Sequence, residues 1–428
     1  MSITCKAAVI RDNKLTEPYK QSKPLSIEEI KIAPPLENEI LVKVMGAGLC
    51  HSDLSVINGS RVMPLPLVIG HEGSGEVVEL GSAIKDVKVG DHVAFQFSPS
   101  CGRCRRCLEG RPQVCELAAA TKGKGELMSG GSRLSDLDGN KLNHHTGISC
   151  MSQYNVVDRG SVVVIDKSFD IQDAALFGCA VMTGVGAVIN TARIRPGDSV
   201  AIIGLGGVGL NGIIGAKLGG AETIIAIDID PSKFSRAEEL GATHCFDSRN
   251  NDTIEEIRAL TNGGVDYAID LAGVIPAMNT AYQIIRYGGS VVTAGLSPIN
   301  TQFSFNHSDL VAQEKSILGS YMGSCVPVRD VPRFLNLFKN FFKNSDILFL
   351  SEIANSKSNY WLNSIIFNNK VQRDSFLEDT NSEGVMTRPV WILLNKLNMY
   401  KNCQCGSLEN SEWLEDRVVN IPSSVISP

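Results

Sequence analysis

The run "SVAIIGLGGVGLNGIIGAKLGG" (199–220) restricts what this chain can fold into more than any other stretch. A buried-strand pattern, "SVAII", meets a glycine turn and then an apolar helix. That leaves no room for a hairpin partner, so the next strand must return parallel through a crossover. The punctuation then repeats. "TIIAIDID" is strand-like, and "PSKFSRAEELG" is helical, with Pro231 in its first turn and Gly241 beyond its end. "VDYAIDLAG" and "GSVVTAGL" repeat the strand type. From about 180 to 320 this predicts an α/β, doubly wound parallel sheet. Residues 36–97 read instead as short β segments, such as "EILVKVMGAG", "SGEVVELGSA" and "KVGDHVAF", and 98–150 as loop.

"GLGGVG" (204–209) fits G-x-G-x-x-G, a weak pattern that gains weight between a strand and a helix. Gly204 makes the tight turn, Gly206 lets backbone approach a pyrophosphate, and Gly209 permits close helix–strand packing. Gly207 and Val208 open the helix whose free N–H groups face the phosphates. Asp228 ends the next strand, 19 residues after Gly209. Its carboxylate accepts hydrogen bonds from ribose hydroxyls and repels a 2′-phosphate, so the expected cofactor is NAD(H).

Four of the twelve cysteines crowd into "CGRCRRCLEGRPQVC", with Cys101, Cys104, Cys107 and Cys115 at x2, x2 and x7. Disulfide scaffolds are short secreted chains, so metal is the better reading. Four thiolates in one loop make a closed, structural Zn2+ site, although a [4Fe–4S] cluster uses the same x2 spacing and stays open here. Arg103, Arg105 and Arg106 are placed to offset the thiolate charge. A second, dispersed set comprises Cys50 in "GLCHSD", His71 and Glu72 in "IGHEGSG", and Cys179 in "LFGCAV". Cys–His–Cys leaves a fourth position free, as catalytic zinc requires, but spacing does not distinguish it from ordinary core residues.

At 428 residues, 43% hydrophobic and 20% charged, the chain suits two or three globular domains. A net charge of −6 without a basic block argues against nucleic acid. No apolar run approaches the ~20 residues of a membrane span, and the N-terminus lacks the pattern of a signal peptide. The expectation is a cytoplasmic protein with no membrane partner.

Together "GLCHSD", "GHEGSG", "VGDHV", the four-cysteine lobe, "SQYNVVD", "LFGCAVMTG" and "GLGGVGL" with "AIDIDPSKF" closely resemble one family. Over 1–340 the chain resembles the zinc-dependent alcohol dehydrogenases of the medium-chain dehydrogenase/reductase superfamily, of the liver or glutathione-dependent-formaldehyde type. The resemblance implies a GroES-like catalytic domain at 1–180, with a structural-zinc lobe at 98–116. A Rossmann NAD-binding domain at 181–320 and a truncated return segment at 321–340 would follow. It implies that Cys50, His71 and Cys179 bind catalytic zinc and that Ser52 takes the alcohol proton. Asp53 would orient His71, with Glu72 behind the metal. His51 would lie near the pyrophosphate, and Lys233 near the adenosine ribose beside Asp228. The implied reaction is reversible hydride transfer between a small alcohol or aldehyde and NAD, in a homo-oligomer, dimer or tetramer. Oxidation of S-(hydroxymethyl)glutathione is the alternative. Ser55 stands where several members carry a proton-relaying histidine. "NHHTG" places His144 and His145 on a loop, where they read as solvated.

Composition changes near residue 340. Of 40 glycines only Gly384 and Gly406 lie beyond it, as do all three tryptophans, Trp361, Trp391 and Trp413, and twelve asparagines. "FLNLFKNFFKNSDILFL" (334–350) therefore reads as a seam, with the dehydrogenase helix running to about Asn340. Residues 341–428, with "SNYWLNSIIF", "RDSFLEDTNSEGVMTRPVW" and "WLEDRVVNIPSS", resemble the C-terminal end of PLP-dependent nucleotide-sugar aminotransferases. The Schiff-base lysine of such enzymes lies upstream of that end, so no aminotransferase activity is expected. The family's late arginine on the cofactor pyrophosphate is not found, which adds a second alternative: an impaired chimera that binds zinc and NAD with little turnover. "CQC" (Cys403, Cys405) is too short for a closed metal site.

Overall fold

Ser199–Ile203 is buried along its whole length and lies inside a six-stranded sheet in the computed structural model, which describes residues 2–13, 16–343, 348–349, 363–382, 387–389, 393, 396 and 407–421. The spatial order is His244–Asp247, Thr223–Asp228, Ser199–Ile203, Val265–Asp270, Ile285–Thr293 and Ser316–Gly319, with every pairing parallel. Strands such as "TIIAID" show no alternation because such a sheet is covered on both faces. Ser199–Ile203 pairs with Thr223–Asp228 on one side and Val265–Asp270 on the other, so the chain reverses direction across the sheet at this strand. The crevice beyond its carboxyl end is the position where such sheets bind ligands, and the glycine turn starts there.

The N-terminal half is β-rich. Ile3–Ile10, Leu25–Ile32, Leu134–Ser135, Lys141–His144 and Leu67–Val68 close a small barrel, and Val162–Val164, His92–Phe95, Gly73–Leu80, Glu39–Ala47 and Tyr154–Asp158 form an antiparallel sheet. Side chains such as Val9, Ile30, Leu142 and Val156 fill the barrel core. Within 98–150, expected as loop, the structure also forms the helices Arg105–Leu108 and Glu116–Lys122 and two of the barrel strands.

His144 and His145 are not solvated: they are 0% and 1% exposed. Lys141–His144 pairs parallel with Leu67–Val68 and antiparallel with Leu134–Ser135, and this pairing carries "NHHTG" into the interior. His144 Nε2 accepts the Arg133 N–H at 3.3 Å. Burial, then the Arg133 and Lys141 charges, push its pKa from 6.5 down to about 3. The folded protein thus keeps His144 neutral while the unfolded chain takes up a proton below about 6.5, so stability falls as pH drops through that window. At about 1.4 kcal/mol per pH unit, this residue removes about 2 kcal/mol by pH 5. Urea denaturation of His144→Gln is expected to show a shallower loss of stability from pH 7 to 5 than the wild type; equal slopes would refute this assignment.

The chain divides into two units, Met1–Asn336 and Leu337–Pro428. The helix Pro327–Lys343 runs through FKNFFK (338–343) without interruption and extends three residues beyond Asn340. In the second unit Leu348–Phe349, Asn363–Ile366, Val418–Ile421 and Arg388–Pro389 form an antiparallel sheet. Ile365, Phe367 and Val419 pack with Phe376 and Leu377 of the helix Lys370–Ser382 into a small core. Trp361, Trp391, Cys403 and Cys405 lie outside the described residues.

Candidate active site and zinc sites

"CHSD" builds the first element of the site from local capping. Cys50 is extended (φ −114°, ψ 152°) and caps the helix His51–Ile57. Asp53 Oδ2 accepts the Cys50 N–H at 3.0 Å, while the Cys50 sulfur accepts the Asp53 N–H, a reciprocal capping box. Asp53 Oδ1 is thereby aimed at His71 Nδ1, 3.0 Å away, leaving Nε2 as the nitrogen for a metal. Sequence reasoning missed a second imidazole here. His145 Nδ1 lies 3.2 Å from the same Oδ1 and 3.2 Å from the Gly70 amide nitrogen. Burial opposes the Asp53 charge, but the His145 and His71 hydrogen bonds outweigh it and hold the carboxyl well below its usual range.

The ligand atoms of Cys50, His71 and Cys179 lie within 4.8 Å of one another, although the residues are far apart in the chain. Cys179 is buried and caps the helix Ala180–Gly186. The hydrogen bond with Cys179 is the main influence lowering the Cys50 thiol to about 4, against burial and with help from His71. The same interaction, with burial, pushes Cys179 up. A thiolate is the metal-binding form of cysteine. Two sulfurs and one imidazole nitrogen suit zinc and leave a fourth position for substrate. Glu72 Oε1 accepts the Ala180 N–H at 3.1 Å, tying it to the Cys179 segment. Burial, joined by the Cys50 and Asp53 charges, raises its carboxyl to about 7.

In the lobe, Cys104 Sγ is 3.5 Å from Cys107 Sγ and 3.9 Å from Cys115 Sγ, and all four sulfurs lie within 4.8 Å of one another. A tetrahedron with Zn–S bonds of about 2.3 Å has edges of about 3.8 Å. A four-iron cubane binds each sulfur to a different metal atom and spreads them further, so the sulfurs fit one zinc ion. The Cys101 and Cys104 amides donate to Cys115 Sγ and Cys101 Sγ at 3.4 and 3.3 Å. Arg105 and Arg106 each pair with Glu109, at 2.7 and 2.8 Å.

At the glycine turn, Gly204 has φ +90°, and a Cβ on Gly209 would stand 1.7 Å from the Gly204 carbonyl oxygen. A Cβ on Gly206 or Gly207 would meet nothing within 4 Å, so the space in front of these exposed residues fits an approaching pyrophosphate. Val208 follows in the first turn of the helix Gly207–Leu218. Asp228 Oδ2 accepts the Leu205 N–H at 2.6 Å and so also holds the turn itself. Lys233 Nζ sits 3.0 and 3.1 Å from its two oxygens. Burial opposes ionisation of Asp228, but the Leu205 amide and Lys233 prevail and its pKa is lowered. His51 is exposed and Ser52 half-buried. Ser55 Oγ donates to the His51 carbonyl at 3.0 Å, inside its own helix.

The family model for an alcohol dehydrogenase GroES-like domain matches residues 36–167, and that for a zinc-binding dehydrogenase matches 207–340. An S-(hydroxymethyl)glutathione dehydrogenase from Synechocystis sp. is 39% identical over 301 residues, 69% of this chain and 81% of that protein. The chain belongs to the zinc-dependent alcohol dehydrogenase family. Among solved structures, an alcohol dehydrogenase zinc-binding domain protein from Burkholderia ambifaria has a TM-score of 0.75 at 33% identity. The benzyl alcohol dehydrogenase of Acinetobacter calcoaceticus follows at 0.71 and 31%. Each covers 79% of this chain and is covered over 90% of its own length. This alcohol dehydrogenase thus joins a GroES-like domain to a Rossmann-like domain and is an oxidoreductase acting on CH–OH groups with zinc and a nicotinamide cofactor. Among its described residues no helix is long and apolar enough to cross a membrane.

Proposed function

We propose that this alcohol dehydrogenase carries its catalytic zinc on Cys50, His71 and Cys179 and uses NAD(H) in preference to NADP(H). The convergence of those three donors, braced by Asp53, carries the reading. Bound there, zinc supplies a Lewis acid for an alcohol or carbonyl oxygen and the nicotinamide exchanges hydride. Cys50 and Cys179 provide thiolates, and Asp53 fixes the ring of His71 through Nδ1. Ser52 Oγ receives the alcohol proton, while Ser55 stays bonded to the His51 carbonyl. Glu72 holds the Ala180 amide and with it the Cys179 turn. Gly204, Gly206, Gly207, Val208 and Gly209 form the pyrophosphate cradle with His51 nearby, and Asp228 with Lys233 meets the adenosine ribose.

The zinc-loaded full chain should form NADH from primary alcohols and favour NAD over NADP by at least about tenfold, since the 2′-phosphate faces the Asp228 carboxylate. Asp228→Ser should narrow that preference. Full zinc occupancy without NADH formation from any alcohol would instead support an impaired chimera in which 341–428 displaces family elements. Formaldehyde with glutathione forms the second arm, because the Synechocystis relative is named for that adduct. The outer edge of Ser316–Gly319 has no strand partner among the described residues and supports a homo-oligomer. A monomer in sedimentation would count against that. Zinc thiolates suit a reducing cytoplasm; fractionation of activity elsewhere would contradict this location.

A further inference from the structure

His145 lies beside the site without being one of the Cys50–His71–Cys179 donors, and its place is fixed from the backbone outward. His144 pairs with Val68 in the barrel, and the His145 N–H donates to Ser149 Oγ at 2.8 Å. Ser149 Oγ in turn donates to the Val68 carbonyl at 2.7 Å. The turn after His144 is thereby tied to the segment that runs on into Gly70 and His71. The buried imidazole of His145 stands edge-on to that of His71, with ring centroids 5.2 Å apart.

The Asp53 carboxylate serves three groups. Its Oδ2 accepts the Cys50 N–H at 3.0 Å, while Oδ1 faces His71 Nδ1 at 3.0 Å and His145 Nδ1 at 3.2 Å. His145 Nδ1 also lies 3.2 Å from the Gly70 amide nitrogen, and one ring nitrogen cannot satisfy both neighbours. Protonated, it donates to Asp53; bare, it accepts from Gly70. The bare form sets a lone pair against a carboxylate oxygen that can itself only accept. A hydrogen bond to a charged acceptor is also stronger than one between neutral groups, so the proton belongs on Nδ1.

We infer that His145 is a positioning residue for the metal ligand His71: it donates its Nδ1–H to Asp53 Oδ1 and so keeps the carboxylate aimed at the His71 ring. The inference rests on the proposed zinc site at Cys50, His71 and Cys179. Without this second donor, His71 alone holds Oδ1. The ligand then loses the fixed partner that sets its ring orientation and its basicity.

The test sets His145→Phe, which fills the space without an N–H, against His145→Asn, whose amide nitrogen stands where Nδ1 stood but leaves a gap. Release of zinc from the loaded full chain to excess chelator is followed with a metal indicator. In His145→Phe one of the two ions should leave at least about tenfold faster than in wild type, with the four-cysteine ion unchanged. His145→Asn should recover most of that loss. Cobalt(II) in place of the faster ion gives a second readout: its ligand-field bands should shift in His145→Phe and return in His145→Asn. Wild-type behaviour of His145→Phe overturns the inference, and so does failure of His145→Asn to recover, since either makes the residue a filler of space. Nitrogen NMR of the wild type decides the same point should His145→Phe not fold: a proton on Nδ1 supports the inference, and a proton on Nε2 alone overturns it. A wild type that binds only the four-cysteine ion fails the proposed zinc site instead, and the NMR result still decides whether His145 donates to Asp53.

Discussion

Cys179→Ala is expected to reduce alcohol-dependent NADH formation at least about a thousandfold, the scale of the several kcal/mol that Lewis-acid activation contributes. The same substitution should lower the zinc content from two ions per chain to one. The remaining ion stays because the lobe organises its own sulfurs, through the Cys101 and Cys104 amides and the short helix Arg105–Leu108, without help from Cys179. The fold should survive, since alanine leaves the cap of Ala180–Gly186 intact in its backbone. Atomic absorption on the purified variant reads the metal and a standard assay reads the rate. Loss of both ions together would show that the two sites are not independent, against the assignment made here.

Gly209→Ala and Gly206→Ala should separate two reasons for a glycine. A Cβ at Gly209 falls 1.7 Å from the Gly204 carbonyl oxygen, so the turn must open or the helix Gly207–Leu218 must back away from the sheet. Overpacking of this kind typically costs about 1–3 kcal/mol, and NADH affinity should fall with it by at least about tenfold. Gly206 has φ −75° and ψ −173°, backbone any residue adopts, with open space around its missing Cβ. Gly206→Ala should leave urea stability within about 0.5 kcal/mol of wild type and still weaken NADH binding, because the methyl occupies the path of the pyrophosphate. Wild-type NADH affinity in Gly206→Ala, read by nucleotide fluorescence, would remove the turn from the cofactor site.

Features that depend on near neighbours were legible in the chain. The alternation around "SVAIIGLGGVG" specifies parallel strands because a strand followed at once by a helix cannot form a hairpin. The spacing of Cys101, Cys104, Cys107 and Cys115 specifies a closed metal lobe because four thiolates within fifteen residues can meet with little loop closure. Asp53 sits three residues after Cys50, so helix capping alone turns it toward the site. The family resemblance supplied the rest of the dispersed zinc set, which spacing did not single out.

His144 and His145 show where local reading failed. Their polarity and the flanking "TG" indicate a solvated loop, yet pairing with Leu67–Val68, more than 70 residues earlier, carries them inside and sets His145 against Asp53. Local spacing also sets the lobe's surface pairs: helical i,i+3 and i,i+4 spacing brings Arg106 and Arg105 to Glu109. The meeting of Lys122 with Tyr321 joins residues 199 positions apart and has no local signature. By itself, then, the sequence determined the strand–turn–helix order, the cofactor turn and the four-thiolate lobe, because each arises from contacts within a few turns of chain. Only the tertiary structure decided which polar groups are buried and which partners they meet, because burial and pairing are set by strand register and packing between segments far apart in the chain.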